Sequence, residues 1–163
     1  MCADWKDYAS EKPASAGTFE WKVPSRVCDG MDVRVYANNR LRGAGYEQVV
    51  SPAFDYWDGY RVHVPKGTMW REAPEDISLK NHEQVVVCID GLDVDPCPFC
   101  GNVPKFKGYQ QSKYGGYVIG PAPQNLNDWQ LHCCRWAQTP SYEDPRQLVE
   151  ARKALLAKAR GAS

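Results

Sequence analysis

The stretch Cys97-Pro98-Phe99-Cys100-Gly101 has two cysteines separated by two residues, a spacing that indicates metal binding. Two cysteine thiolates separated by two residues can bind one metal ion from a tight turn, with each sulfur at about 2.3 Å from a zinc ion. The proline fixes one backbone angle of that turn, and the glycine allows the chain to turn sharply after the second thiolate. Such a knuckle supplies half of a tetrahedral site, so two further ligands must come from elsewhere in the chain.

The remaining ligands are predicted in residues 132–134, because no cysteine or histidine lies between Cys100 and His132. Neighbouring residues of a strand point to opposite faces, so Cys133 and Cys134 share one ion only if the chain turns between them. His132 and Cys134 lie two positions apart and face the same way without such a turn. Two ligand sets therefore stay open: Cys97, Cys100, Cys133 and Cys134, or a set in which His132 replaces one of the last two.

A closed set of four ligands leaves zinc no open position for water or substrate, so we expect one structural Zn²⁺ per chain. A catalytic zinc would need a nearby general base, yet no aspartate or glutamate lies between Cys97 and Asn127. The sequence also has no glycine-rich phosphate loop and no nucleophile elbow. We therefore expect no enzymatic activity, no catalytic residues and no small-molecule substrate.

The composition indicates an ordinary folded chain. It has 163 residues with 20 Lys+Arg against 20 Asp+Glu, which argues against a nucleic-acid mimic and against a basic groove across the whole molecule. No apolar run approaches the ~20 residues that cross a bilayer, and the N-terminus lacks the apolar core of a secretory signal. We expect a cytoplasmic protein with reduced thiols and no membrane partner, in the host cytoplasm if a phage encodes it.

Apolar and polar residues alternate in several short runs that turn residues separate, which is typical of an antiparallel β domain. Strands are predicted at 19–23, 32–36, 47–50, 60–64 and 84–90, with turns that include Asn38-Asn39. After the first knuckle, residues 105–109 and 116–119 are predicted to form a hairpin, and residues 129–131 return as a strand to the second ligand cluster. Ligand pairs brought together by antiparallel strands describe a zinc ribbon.

One helix is predicted, at the C-terminus. Asp144 is a good N-cap, Pro145 suits the first helical position, and the helix ends near Gly161. The fold class is therefore mainly β (α+β). We predict a flexible tail over 1–17, an antiparallel β domain over 18–92, a zinc-ribbon module over 93–140, and a helical segment over 141–163 that packs on the ribbon or the β domain.

These motifs resemble the Lar family of restriction-alleviation proteins, which are small phage and prophage zinc-ribbon proteins. The resemblance covers about residues 94–157 and rests on the first knuckle, the second cysteine cluster and a Thr139-Pro140 step into a short helix. It departs at the second knuckle, where the cysteines are adjacent and Trp136 stands in place of the partner cysteine. Residues 19–70 look like the amino-terminal part of uncharacterised phage proteins. The resemblance implies a phage-type accessory protein that binds and modulates a host protein, such as a restriction or other defence complex.

An aromatic loop over residues 54–61 is the predicted partner-binding surface. Tyrosine, tryptophan and arginine dominate the energetics of protein interfaces, and this loop contains Tyr56, Trp57 and Arg61. Tyr56 and Trp57 cannot both face inward on a strand. The alternative is that these aromatic residues form the core of a small β domain.

The second functional hypothesis is nucleic-acid binding through the ribbon. Lysines at 105, 107 and 113 interleave with aromatic residues in a stretch that has no acidic residue. Lysines neutralise phosphates, and aromatic rings stack on bases. The predicted contact residues are Lys105, Lys107, Lys113, Tyr109 and Tyr114. The alternative is a solvated hairpin whose lysines protect an exposed strand edge from aggregation.

Overall fold

The structure of the chain is a computed structural model. It describes residues 4–42, 49–52, 54, 56–57, 62–80, 83–116, 122–134 and 140–161, with the backbone alone at 41–42, 49–50, 56–57 and 62. The strands in chain order are β1 (Lys6–Asp7), β2 (Thr18–Pro24), β3 (Asp32–Arg42), β4 (Val49–Pro52), β5 (Tyr56–Trp57), β6 (Val62–His63), β7 (Met69–Glu72), β8 (Gln84–Ile89), β9 (Lys105–Tyr109) and β10 (Asp128–His132). A 3₁₀ turn, η1 (Pro123–Asn125), precedes β10, and α1 (Pro145–Gly161) follows it.

A six-stranded sheet with the order β1-β7-β2-β3-β4 forms the body of the protein, and β8 pairs with β3 as well. All of its pairings are antiparallel. The long strand β3 pairs with β8 over its first half, from Val33 to Ala37, and with β4 over its second half, from Asn39 to Arg42. The predicted class, mainly β with one C-terminal helix among the described residues, is confirmed.

Apolar side chains alternate strictly with charged or polar ones along β2 and the first half of β3, which explains why these strands form the centre of the sheet. On one face Trp21, Val23, Val33 and Val35 are buried. Because side chains alternate along a strand, the residues between them lie on the other face and are charged or polar. Trp21 contributes most to the apolar face: its indole N–H donates to the carbonyl oxygen of Ala37 at 2.9 Å, and its ring packs edge-on against Phe54.

The polar face carries a buried ion-pair network that sequence analysis did not predict. Glu20 is 2 % exposed. It accepts hydrogen bonds from Arg34 and, at 2.7 Å, from Nε of Arg71. Trp5 lies over both guanidinium groups, 4.5 Å from Arg71 and 5.5 Å from Arg34. Two arginines satisfy one buried carboxylate here, and an N-terminal aromatic ring covers the group.

The N-terminal segment is placed against the sheet from Trp5 onward. β1 pairs with β7, and the indole N–H of Trp70 donates to the carbonyl oxygen of Glu11 at 2.7 Å. Neither β1 nor β7 was predicted. The flexibility predicted for residues 1–17 is a statement about motion and stays a prediction.

β9 and β10 form the antiparallel ribbon, with Lys105 opposite His132 and Tyr109 opposite Asp128. Phe106, Trp129 and Leu131 are buried on its inner face and belong to the same contiguous apolar cluster as Trp21 and the valines of β2 and β3. The predicted boundaries between the β domain, the ribbon module and the helical segment stay predictions.

α1 begins where the sequence predicted a helix. The Asp144 carboxylate accepts a hydrogen bond at 2.8 Å from the backbone N–H of Arg146, which is the N-cap arrangement. Leu148 and Val149 are buried in the common core, and α1 packs against β10. Among the described residues, no helix is long and apolar enough to cross a membrane.

The predicted turn at Asn38-Asn39 is wrong, because β3 continues through both residues. Their side chains make hydrogen bonds from within the strand. The Asn39 carbonyl accepts from the backbone N–H of Gly17 at 2.7 Å, and the Asn38 amide donates to the carbonyl oxygen of Leu79 at 3.0 Å. The predicted hairpin partner of β9, residues 116–119, falls almost entirely outside the described residues. The strand that the structure pairs with β9 is β10.

Gly108 lies directly beneath the Trp129 ring. A Cβ atom at this position would lie 2.6 Å from Cδ1 of Leu126 and 2.9 Å from Cζ3 of Trp129, so Gly108→Ala overpacks the core. We expect it to lower the free energy of unfolding by ~1–3 kcal/mol, measured by urea denaturation. Gly161→Ala is the matched control, because no heavy atom would lie within 4 Å of its Cβ. Equal urea midpoints for Gly108→Ala and the unchanged chain would contradict the packing described here.

Candidate metal centre

The sulfur atoms of Cys97, Cys100, Cys133 and Cys134 lie within 4.8 Å of one another. The separation is 3.8 Å between the sulfurs of Cys97 and Cys134 and 3.0 Å between those of Cys100 and Cys133. In a tetrahedral site with metal–sulfur bonds of about 2.3 Å, neighbouring sulfurs are about 3.8 Å apart. The spacing of the four sulfurs therefore fits ligation of one ion.

Two backbone hydrogen bonds close the first knuckle. Gly101 N–H donates to the carbonyl oxygen of Cys97, and Cys97 N–H donates to that of Asn102, each at 2.8 Å. Gly101 has φ +73°, a left-handed conformation that glycine adopts without strain. This turn leaves Cys97 buried and Cys100 exposed.

The second knuckle lies just beyond the end of a strand. β10 ends at His132, and the chain bends at Cys133 and Cys134. The rule that neighbours on a strand point to opposite faces no longer applies at this bend. Each cysteine approaches one cysteine of the first knuckle: Cys134 approaches Cys97, and Cys133 approaches Cys100.

His132 stays within β10 and is not part of the cysteine group. Its Nε2 is hydrogen-bonded to the side-chain oxygen of Gln130 at 2.8 Å, and the Gln130 amide donates to the Ser141 hydroxyl at 2.6 Å. Burial, together with the nearby Lys107 ammonium, holds the pKa of His132 below its usual range. The structure thus brings together the first of the two predicted ligand sets.

The electrostatics of the cluster favour a thiolate at its buried corner. Backbone hydrogen bonding from Phe99 is the main cause that lowers the pKa of Cys97 to about 6, and Cys100 and Cys134 contribute in the same direction. The hydrogen bond to Cys100 is the main cause that raises the pKa of Cys133 to about 12. Four thiolates repel one another without a cation, so a bound metal ion supplies the charge that lets all four ionise.

Four sulfur ligands close a tetrahedral coordination shell, so a metal ion bound here would have no open position for a substrate. Within the described part of the chain, this is the one group of three or more cysteine, histidine or acidic side chains close enough to hold an ion. A metal ion held by these four sulfurs would cross-link two turns that are distant in sequence.

The predicted nucleic-acid contacts lie along the outer face of the ribbon and at its tip. Lys105 and Lys107 are exposed on β9, opposite His132 and Gln130. Tyr109, on the same face, is half-buried. At the tip, Tyr114 is 87 % exposed and the Lys113 ammonium lies 5.0 Å from its ring centre. None of the three lysines forms an ion pair with a described carboxylate.

The predicted partner-binding residues lie in a part of the chain that the structure describes least. The backbone of Tyr56 and Trp57 forms β5, which pairs with β6. Their side chains, and Arg61 as a whole, lie outside the described residues. Their role in partner binding stays a prediction.

Sequence analysis missed an apolar surface beside the cysteine cluster. Phe99, between the two ligands of the first knuckle, is 76 % exposed, and Val103 is 59 % exposed. The sequence did contain a signal for this exposure. Phe99 lies between the two cysteines of the knuckle, and only the cysteines need to point inward to bind an ion. Val103 shares its face of the extended chain with Lys105 and Lys107, so apolar and basic side chains lie along one strip of the ribbon.

Comparisons of the chain with protein-family models, with curated proteins and with solved structures found no match.

The two ligand sets predict different effects of substitution on metal content. We expect Cys134→Ser to weaken metal binding by more than about tenfold and to release the ion to a competing chelator, because it removes a thiolate ligand. His132→Ala should retain the ion, since its ring bonds to Gln130. Elemental analysis of each purified variant measures this. Retention by Cys134→Ser together with loss from His132→Ala would support the histidine-containing set instead.

Proposed function

We propose that this chain is a zinc-ribbon accessory protein without catalytic activity, which binds a host protein such as a restriction or other defence complex and changes its activity. The observation that carries the proposal is the group of four cysteine sulfurs within 4.8 Å of one another. An all-sulfur set favours zinc among the common cellular divalent ions, and in a closed site the ion supports structure rather than reaction. The elemental analysis described above also identifies the element, and about one zinc per chain is expected.

The ribbon that this ion would hold exposes side chains suited to contact with another protein. Phe99 projects from the first knuckle and Val103 lies just after it, both largely exposed. A rigid turn that presents an aromatic side chain loses little conformational entropy on binding, which favours affinity. The resemblance of the first knuckle and the ribbon to Lar proteins, which departs at the second knuckle, supports a restriction complex as the partner class. The aromatic loop that contains Tyr56, Trp57 and Arg61 is proposed as a second contact surface.

On this proposal, expression of the chain in restriction-competent cells raises the plating efficiency of phage whose DNA lacks the protective modification. The double variant Phe99→Ser/Val103→Ser should lose this effect and the capture of the host complex in a pull-down. Leu155→Ser is the matched control, because Leu155 is also 59 % exposed but lies on α1. If the double variant folds, keeps its metal and still captures the complex, the ribbon surface is not the contact. The same measurement on Tyr56→Ala/Trp57→Ala/Arg61→Ala then tests the aromatic loop.

A second candidate function, nucleic-acid binding, is favoured by one specific observation. The ribbon lysines are exposed and have no described carboxylate as an ion-pair partner, so they are available to phosphates. Tyr114, almost fully exposed at the tip, could stack on a base.

With Lys105, Lys107 and Lys113 as the phosphate contacts, the slope of log K against log salt should be no steeper than about −3. Lys105→Ala/Lys107→Ala/Lys113→Ala should then abolish binding to single-stranded and duplex DNA, measured by fluorescence anisotropy at two salt concentrations. The control is the set of three exposed lysines elsewhere in the chain, Lys66, Lys80 and Lys158, each changed to Ala. Equal loss in the two triple variants would show a general charge effect. No binding by the unchanged chain would remove this candidate.

A further inference from the structure

Arg152 of α1 is a buried cation, and two of its three donor nitrogens are unmet. The residue is 6 % exposed, and neither its Nε nor its Nη2 has a hydrogen-bond partner among the residues that the structure describes. It lies on the face of α1 that also buries Leu148 and Val149. The contrast with Arg34 and Arg71 is direct, because both of those guanidinium groups hydrogen-bond to Glu20.

An unpartnered guanidinium cannot reach the interior at low cost. Arginine stays protonated at every pH that a folded protein survives, so it cannot escape the cost of burial by losing its proton. Removal of such a charge from water is among the most unfavourable events in folding unless an acceptor or an opposite charge replaces the water. A buried Arg152 therefore requires an acceptor.

The carboxylates of α1 and of its N-cap are engaged elsewhere. Asp144 pairs with Arg146, and Glu150 pairs with Lys153. On β10, against which α1 packs, the indole N–H of Trp129 is likewise buried and has no partner in the described part of the chain. Asp128, a buried carboxylate on β10, has an interaction of its own, so the unmet side-chain atoms that the structure describes on these two packed elements are all donors. Gln124 Oε1, a buried acceptor without a partner, belongs to η1, which packs against β2 and β3.

We propose that Arg152 binds a small oxyanion at the contact between α1 and β10. Nε–H and Nη2–H lie on one edge of the guanidinium and point the same way, which is the fork that matches two oxygens of a phosphate, a sulfate or a carboxylate. The anion supplies the missing charge and two acceptors. This site is independent of the metal centre and of the partner proposed above.

The test measures the thermal unfolding midpoint of the metal-loaded 163-residue chain at constant ionic strength, with chloride replaced stepwise by phosphate, sulfate or acetate. Binding to the folded state should raise the midpoint saturably, by about 5–10 °C when the anion reaches about 100 times its Kd. A larger rise of the midpoint with phosphate and sulfate than with acetate indicates a site for a tetrahedral anion, and the reverse indicates a site for a carboxylate.

Three variants make the test specific to Arg152. Arg152→Met removes the donors and should show only the small, non-saturating rise that phosphate and sulfate give to any protein through exclusion from its surface. Arg152→Lys keeps the charge but loses the fork, so most of the saturable rise should disappear. Arg160→Met, which removes an exposed charge from the same helix, should respond as the unchanged chain does.

Calorimetric titration of the unchanged chain with phosphate, sulfate and acetate keeps the proposal testable if Arg152→Met does not fold. Two results together support the proposal. The unchanged chain binds one of these anions saturably, and Arg152→Lys raises the Kd for that anion at least about tenfold. Absence of saturable binding for all three anions overturns it. Equal midpoint shifts in Arg152→Met and the unchanged chain overturn it as well.

Discussion

The packing of Trp129 joins the parts of this protein. Its indole lies over Gly108 of the facing strand, where only a glycine leaves room for it. Its ring meets Phe106 edge-on at 6.3 Å, and its backbone N–H and carbonyl oxygen pair with those of Tyr142, just before α1. The same strand leads within five residues to Cys134. The position of the second knuckle therefore depends on how this one side chain seats in the common core.

The sequence predicted best those elements whose signals are local. Asp144 and Pro145 marked the start of α1, and the alternation around Trp21 and Val33 marked the two central strands. β1 and β7 were missed, because each is short and is specified by its pairing with a strand elsewhere in the chain. Asn38 and Asn39 misled for the same reason. Their preference for turns was overridden by hydrogen bonds to Leu79 and Gly17, contacts that no local pattern reveals.

The spacing of the cysteines predicted only part of the metal site. The CxxC motif identified one knuckle, because its geometry is contained within five residues. For residues 132–134, the strand rule left two ligand sets open, and the choice between them depended on where β10 ends. Since β10 ends at His132, the two cysteines lie in the bend and the histidine stays on the strand. The end of a strand is set by tertiary packing, which is why the sequence alone could not place the fourth ligand.

The two-part pairing of β3 has a consequence for the order in which the chain assembles. β2 and β3 are joined by a short connection, with Pro24 opposite Asp32, whereas β8 reaches β3 by pairing Ile89 with Val33, and β1 reaches β7 by pairing Lys6 with Trp70. Closing a long loop costs more chain entropy than closing a short one, and non-local pairings slow folding. The β2–β3 hairpin is thus the natural nucleus. We expect the outer strands, and with them the ring of Trp5 over its arginines, to be added once that hairpin has formed.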